Sequence, residues 1–293
     1  MSEARLLALV VLAFLAFAVG LLALLSVLPA TRAAARGLWP AMVSELVIAA
    51  AALVLVVPGG IVGDAGIALL AGRCAWEAAV VVLGEATRRD RALVLGAAAA
   101  LAALAARHGG GPGAMLGAVL VGTTAFAATW TRGAGAKTEA GLLVLFPLLP
   151  LVAFAAVSAR PDGAAILLVA FLLVETMDSS AVLGGRLFGR HKVFPRLSPR
   201  KTVEGLLAGA VAVAAAAVLL GLAVMDWSPG RIGAVALSVA VATVAGDLTA
   251  SALKRRAGVK DYPVVHAVQG GALDVVDAWI VAAPVLALVS SLA

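Results

Sequence analysis

Apolar residues fill this chain in runs of about 15 to 24, long enough to cross ~30 Å of hydrocarbon, broken by short stretches rich in Gly, Pro, Arg and Lys. The runs predict ten helical segments, at approximately 6–28, 44–57, 65–86, 91–106, 113–131, 141–159, 164–185, 202–225, 232–253 and 271–292. The second is short enough to be re-entrant instead of crossing. Pro58-Gly59, Pro229-Gly230 and the run Gly109-Gly110-Gly111-Pro112 mark turns on one face. Ala-rich stretches such as 208–217 allow close helix packing. The expected fold is an all-α polytopic transmembrane bundle of about nine to ten spans. It forms a single membrane domain over 1–293, with N-terminal helices in 1–160 and the chemistry-bearing region in 161–293.

Composition agrees, with 63% hydrophobic and 13% charged residues, where a soluble domain would carry roughly 25% charged. The single cysteine, Cys74, excludes an intramolecular disulfide and reads as a small apolar residue in a helix. The first apolar run is long for a signal-peptide core and ends without a clear cleavage site, so it is kept as a span. The net charge of +6 needs no nucleic acid, because Lys and Arg gather on the cytoplasmic side of membrane proteins. With the N-terminus outside, seventeen of the 22 Lys and Arg fall in loops of one face, which is then cytosolic. Trp39, Trp130 and Trp227 fall near span ends and read as interface anchors.

The acids inside this apolar frame call for a reason, since a carboxylate at membrane depth costs ~2.5–3.5 kcal/mol unless partnered or functional. Asp247 lies near the cytosolic end of the ninth segment, with Ser251 and Lys254 following on the same helix face. Asp274 and Asp277 share a face at the start of the last helix. Three such acids at one depth repel unless a cation sits among them, and Mg²⁺ suits, since it takes one or two carboxylates and leaves room for phosphate oxygens. Lys254, Arg255, Arg256 and Lys260 would supply phosphate-binding donors, and Gly270-Gly271 would let backbone amides approach an anion. Blander readings stand beside these: a positive-inside loop for Lys254–Lys260, and ordinary helix N-terminal acids for Asp274 and Asp277.

A second cluster lies on the same face. Glu175 and Asp178 end the seventh segment, and Arg186, Arg190, His191, Lys192, Arg196, Arg200 and Lys201 follow among Gly184, Gly185 and Gly189. Ser198 and Thr202 lead into the eighth segment, with Glu204 in its first turn. A flexible basic loop beside a helix N-terminus reads as a cradle for a triphosphate or lipid phosphate, or else as an anionic-lipid anchor. His191 and His266 are expected in solvated loops and are not assigned to metal.

These residues resemble the signature of the phosphatidate cytidylyltransferase (CDP-diacylglycerol synthase) family. The likeness runs through Gly246-Asp247-Leu248, Ser251-x-x-Lys254-Arg255-x4-Lys260-Asp261 and Gly270-Gly271-x-x-Asp274-x-x-Asp277. Upstream, Asp178-Ser-x-Ala181, Gly185-x-x-x-Gly189 and Ser198-Pro199-x-Lys201-Thr202-x-x-Gly205 look like the family's other motif. The resemblance implies transfer of a cytidylyl group from CTP to the phosphate of phosphatidate, giving CDP-diacylglycerol and pyrophosphate, in an integral protein of the bacterial inner membrane with its site facing the cytosol.

It further implies that Asp247, Asp274 and Asp277 hold Mg²⁺, alone or with a second cation, and that Lys254 joins them as catalytic. Asp178, Ser198, Lys201, Thr202, Ser251, Arg255, Lys260, Asp261, Gln269, Gly270 and Gly271 would bind substrate. A homodimer is common in the resembled family, and nucleic acid is not expected as a partner. The chain departs from the family's His-Gly-Gly at Gln269-Gly270-Gly271, from its Asp-Arg-x-Asp at Val275, from a Pro-Gly at Ala267-Val268 and from a Tyr at Val182. A catalytically silent lipid-binding or partner-assisting relative is therefore the alternative, and a carboxylate-coupled transporter a further one.

Overall fold

The computed structural model describes residues 3–29, 32–83, 89–129, 136–265 and 270–292. The expected apolar segments appear as helices α1 (Glu3–Val27), α2 (Arg32–Val56), α3 (Gly60–Leu83), α4 (Arg89–Thr129), α5 (Ala136–Leu143), α6 (Leu149–Ser158), α7 (Gly163–Phe188), α8 (Val203–Ala223), α9 (Pro229–Arg256), α10 (Ala272–Val276) and α11 (Trp279–Leu292). A π-helical turn, Val144–Leu148, joins α5 to α6. Among the described residues, eight helices are long and apolar enough to cross a membrane, and the protein is a polytopic all-α membrane protein. The apolar part of α2, Met42–Val56, is shorter.

Three differences from the expected segments have physical causes. α4 covers two of them, and it folds back on itself at Gly110, whose φ of 59° suits glycine. A Cβ on Gly113 would lie 2.0 Å from the Ala105 carbonyl oxygen, and one on Gly117 2.7 Å from that of Ala102. The two arms are thus antiparallel and packed backbone to backbone, and the expected turn is real, with non-helical backbone at Gly110. The last segment breaks near Asp277 into α10 and α11. The stretch expected to be a flexible basic loop is an antiparallel hairpin, β1 (Lys192–Phe194) with β2 (Ser198–Thr202). Gly184 and Gly185 belong to α7, where small residues let α8 close in: a Cβ on Gly184 would meet that of Ala208 at 2.4 Å.

Helix starts follow local chemistry. Thr202 caps α8 by accepting from the Gly205 amide at 3.1 Å, and Ser228 caps α9, with Pro229 in its first turn. Trp279 locks the start of α11 into the core, donating to the Leu167 carbonyl at 2.9 Å and meeting Phe154 and Phe171 edge-on. Trp227, expected as an interface anchor, turns inward onto Gly221 and Ile232 and is buried. Leu207, Val211 and Leu219 of α8 stay largely exposed, as a lipid-facing stripe requires.

Candidate active site

One lysine pairs with a carboxylate and feels the charge of two more, each from a different element. Asp178 comes from the middle third of α7, Asp247 from α9, and Asp277 from the break between α10 and α11. Gly246 makes the last two neighbours, because a Cβ there would lie 2.6 Å from the Asp277 carbonyl oxygen and 2.8 Å from the Ala278 Cα. Lys201 of β2 forms an ion pair with Asp247, and Ser251 donates to the other Asp247 oxygen at 3.2 Å. Burial alone would pull the Lys201 ammonium below its ordinary range. The charges of Asp247, Asp178 and Asp277 outweigh it and hold Lys201 above that range. Asp277, 8% exposed, feels Asp247, Lys254 and Asp178 in turn.

Asp274 does not join this group as expected. Its Oδ1 accepts from Lys254 Nζ at 2.5 Å, and its Oδ2 accepts from the Tyr262 and Gly271 amides, both at 2.9 Å. With both oxygens engaged, Asp274 ties the first turn of α10 to the preceding loop, so the helix N-terminal reading holds for it. The Gly271 amide, expected to face an anion, is spent on Asp274. Lys254 is committed as well, with its ammonium 5.2 Å from the Tyr262 ring centre. Burial, reinforced by the Asp277 and Asp274 charges, pushes the Tyr262 hydroxyl well above the ordinary tyrosine range. Tyr262 therefore stays protonated.

The remaining expected residues lie at the edge. Arg255 is exposed and donates to the Val259 carbonyl at 2.9 Å, and Lys260 and Asp261 are exposed. Ser198 is half-buried in β2 and Thr202 serves as the α8 cap. Glu204 accepts the Arg190 and His191 amides and bonds the His191 ring, which pins the hairpin to α8. Gly270, with φ of 90°, turns the chain into α10. Gln269, His266, Ala267 and Val268 lie outside the described residues.

Two site-building residues were missed by the sequence reading. Glu77, fully buried in α3, accepts from the Ala272 and Leu273 amides at 2.9 and 2.8 Å, and Arg73 bonds Glu77 at 2.7 Å and the Pro263 carbonyl at 3.1 Å. The available signal was a carboxylate in an apolar span with an arginine four residues before it. Arg73 also borders an apolar cavity of about 440 Å³ between α2, α3, α7 and α10, where Val275 and Val276 supply wall. Glu175 lines the same cavity. α10 thus shows acids on one face and cavity wall on the other.

Hard carboxylate oxygens and neighbouring ammonium groups are the donor set for a divalent cation with phosphates. Among the described residues, no three His, Cys, Asp or Glu side chains are gathered closely enough to hold a metal ion by themselves, so the expected trio of Asp247, Asp274 and Asp277 is not assembled. Mg²⁺ asks for less, one or two carboxylates with phosphate and water completing its shell. Asp247 and Asp277, neighbours through Gly246, fit that requirement.

A family model described as "Cytidylyltransferase family" matches residues 39–293. Among curated proteins, the chain is 36% identical over 131 residues to a phosphatidate cytidylyltransferase of Haemophilus influenzae, covering 42% of this chain and 44% of that protein. It is 34% identical over 128 residues to one of Staphylococcus haemolyticus, covering 43% and 49%. It is also 35% identical over 123 residues to the uncharacterized protein YnbB of Escherichia coli K12, covering 42% and 41%. The matched region spans less than half the length of each of these relatives. With a family match running over most of its length, the chain belongs to the cytidylyltransferase family.

Proposed function

We propose that the protein transfers a cytidylyl group from CTP to a lipid phosphate, with phosphatidate as the acceptor. The observation that carries this reading is the Lys201–Asp247 ion pair, with Asp277 brought beside it at Gly246 and α10 lining an apolar cavity with its other face. Acidic and cationic groups suit a nucleotide and its counter-ion, and the cavity suits an acyl chain. A lipid phosphate oxygen, already anionic at pH 7, attacks the α-phosphorus of CTP. The bond to the β-phosphate oxygen breaks and pyrophosphate leaves, so no strong general base is needed.

Asp247 and Asp277 would hold Mg²⁺, with Asp178 alongside. When bound, the ion supplies charge neutralisation and alignment of the phosphates. Lys201 stands where it can exchange its bond to Asp247 for a phosphate oxygen. Lys254 and Asp274 hold the turn that presents Asp277. The cation distribution supports a cytosolic site in a bacterial inner membrane.

The test is purified full-length protein in nanodiscs with CTP, Mg²⁺ and phosphatidate. Equimolar pyrophosphate and CDP-diacylglycerol are expected, and Asp277→Asn should lower the rate on the order of 100-fold. Absence of turnover with phosphatidate and with other lipid phosphates would defeat the proposal, as would full activity of Asp277→Asn.

A further inference from the structure

We infer that Glu77, supported by Arg73, is a positioning residue for the turn that presents Asp274 and Asp277. This inference rests on the transferase reading above. A fully buried carboxylate in a membrane span is tolerated only with its oxygens satisfied, and Glu77 has three donors: Arg73 Nε and the Ala272 amide at Oε1, and the Leu273 amide at Oε2.

Two of those donors are the first amides of α10. Arg73 extends the same grip to the other limb of the connection at the Pro263 carbonyl, with its guanidinium 4.5 Å from the Trp76 ring centre. α3 therefore holds both ends of the segment between Tyr262 and Leu273. Asp274 follows the held residue directly, and Asp277 lies one turn further on, seated against Gly246.

Gly271 belongs to this arrangement. A Cβ there would stand 2.6 Å from Glu77 Oε2 and 2.7 Å from the Tyr262 Cβ, so its small size serves the contact with α3. A buried ion pair is a poor means of adding stability compared with apolar packing. Directed hydrogen bonds to two consecutive amides do fix orientation, which apolar contact cannot do as sharply.

The test compares wild type, Glu77→Ala and Glu77→Gln as full chains in nanodiscs, by amide hydrogen exchange and by steady-state kinetics. In Glu77→Ala, exchange at 271–277 should speed up about tenfold or more while the middle of α9 stays protected. kcat should fall about 10- to 100-fold with KM for CTP within about threefold, and Glu77→Gln, which keeps one acceptor oxygen, should fall between.

Unchanged exchange at 271–277 overturns the inference, and so does fast exchange with an unchanged kcat. Should Glu77→Ala not fold, Gly271→Ala disturbs the same contact while leaving both charges in place. It should give the same pattern, and wild-type exchange in that variant counts against the inference. If wild type transfers nothing to any lipid phosphate, the transferase reading falls, and the exchange data still decide whether Glu77 holds the turn.

Discussion

Lys201 and Asp247 form an ion pair that bridges the β1–β2 hairpin and α9. Two further carboxylates, Asp178 and Asp277, act on the same ammonium. Removing Lys201 leaves Asp247 without its cation and the charges of Asp178 and Asp277 uncompensated there, so Lys201→Met should unfold at a lower temperature than wild type in a metal chelator. Millimolar Mg²⁺ should restore part of the loss if the acids take the ion. Thermal unfolding with and without Mg²⁺ checks this, and an equal midpoint in chelator contradicts it.

The pH dependence of that pair has a definite sign. Lys201 has a folded-state pKa above its unfolded one, so its stabilising contribution is complete below the unfolded value of ~10.4 and fades as pH rises through the folded value. The midpoint difference between wild type and Lys201→Met should therefore shrink as pH rises above about 10.4. Unfolding curves across that range provide the measurement.

Gly246 predicts a steric effect. Its missing Cβ would strike backbone atoms of Asp277 and Ala278, which cannot swing away as a side chain could. Gly246→Ala should cost about 1–3 kcal/mol by overpacking and should separate Asp247 from Asp277, with activity falling accordingly. Gly233→Ala, on the same helix with nothing within 4 Å of the added methyl, is the control and should retain activity. Equal behaviour of the two variants contradicts the argument.

At the other end of α3, Arg107 joins Asp64 at 2.6 Å to the Ser158 hydroxyl at 2.6 Å and its carbonyl at 3.1 Å, and His108 approaches Asp64 as well. This knot ties α3, the α4 reversal and α6 about 20 Å from Glu77 along the helix. Arg107→Ala should lower the thermal midpoint while leaving kcat and KM within about twofold. A large kinetic effect would contradict a purely structural role.

Sidedness can be tested by labelling, because Cys74 is fully buried and should not react. An impermeant maleimide applied to intact cells should modify Gly230→Cys and spare Arg196→Cys, with both labelled after lysis. The opposite pattern would reverse the orientation drawn from the cations.

Much of this architecture was legible as periodicity and punctuation. The apolar runs located the helices, the Gly-Pro run located the α4 reversal, Asp247 and Asp277 stood out as acids in greasy surroundings, and Asp178 stood out beside the basic cluster that follows it. Asp274 misled because an acid spaced i, i+3 from another looks equivalent, whereas its partners are backbone amides within its own turn and Lys254, visible only after folding. Glu77 and Arg73 carried a signal as an i, i+4 pair in an apolar span, but their task was hidden, since the amide donors to Glu77 lie 195 and 196 residues away. The hairpin escaped because strands of three and five residues carry no alternation long enough to read.

The contacts of Glu77 with Ala272 and Leu273 join α3, far upstream in the chain, to the turn that carries Asp274 and Asp277. A helix that carries none of the signature acids is thus a working part of the scaffold. Drift in α3 could detune the signature turn while every signature acid stayed in place, so a relative keeping those acids but lacking this grip would look intact on paper and be slack in practice.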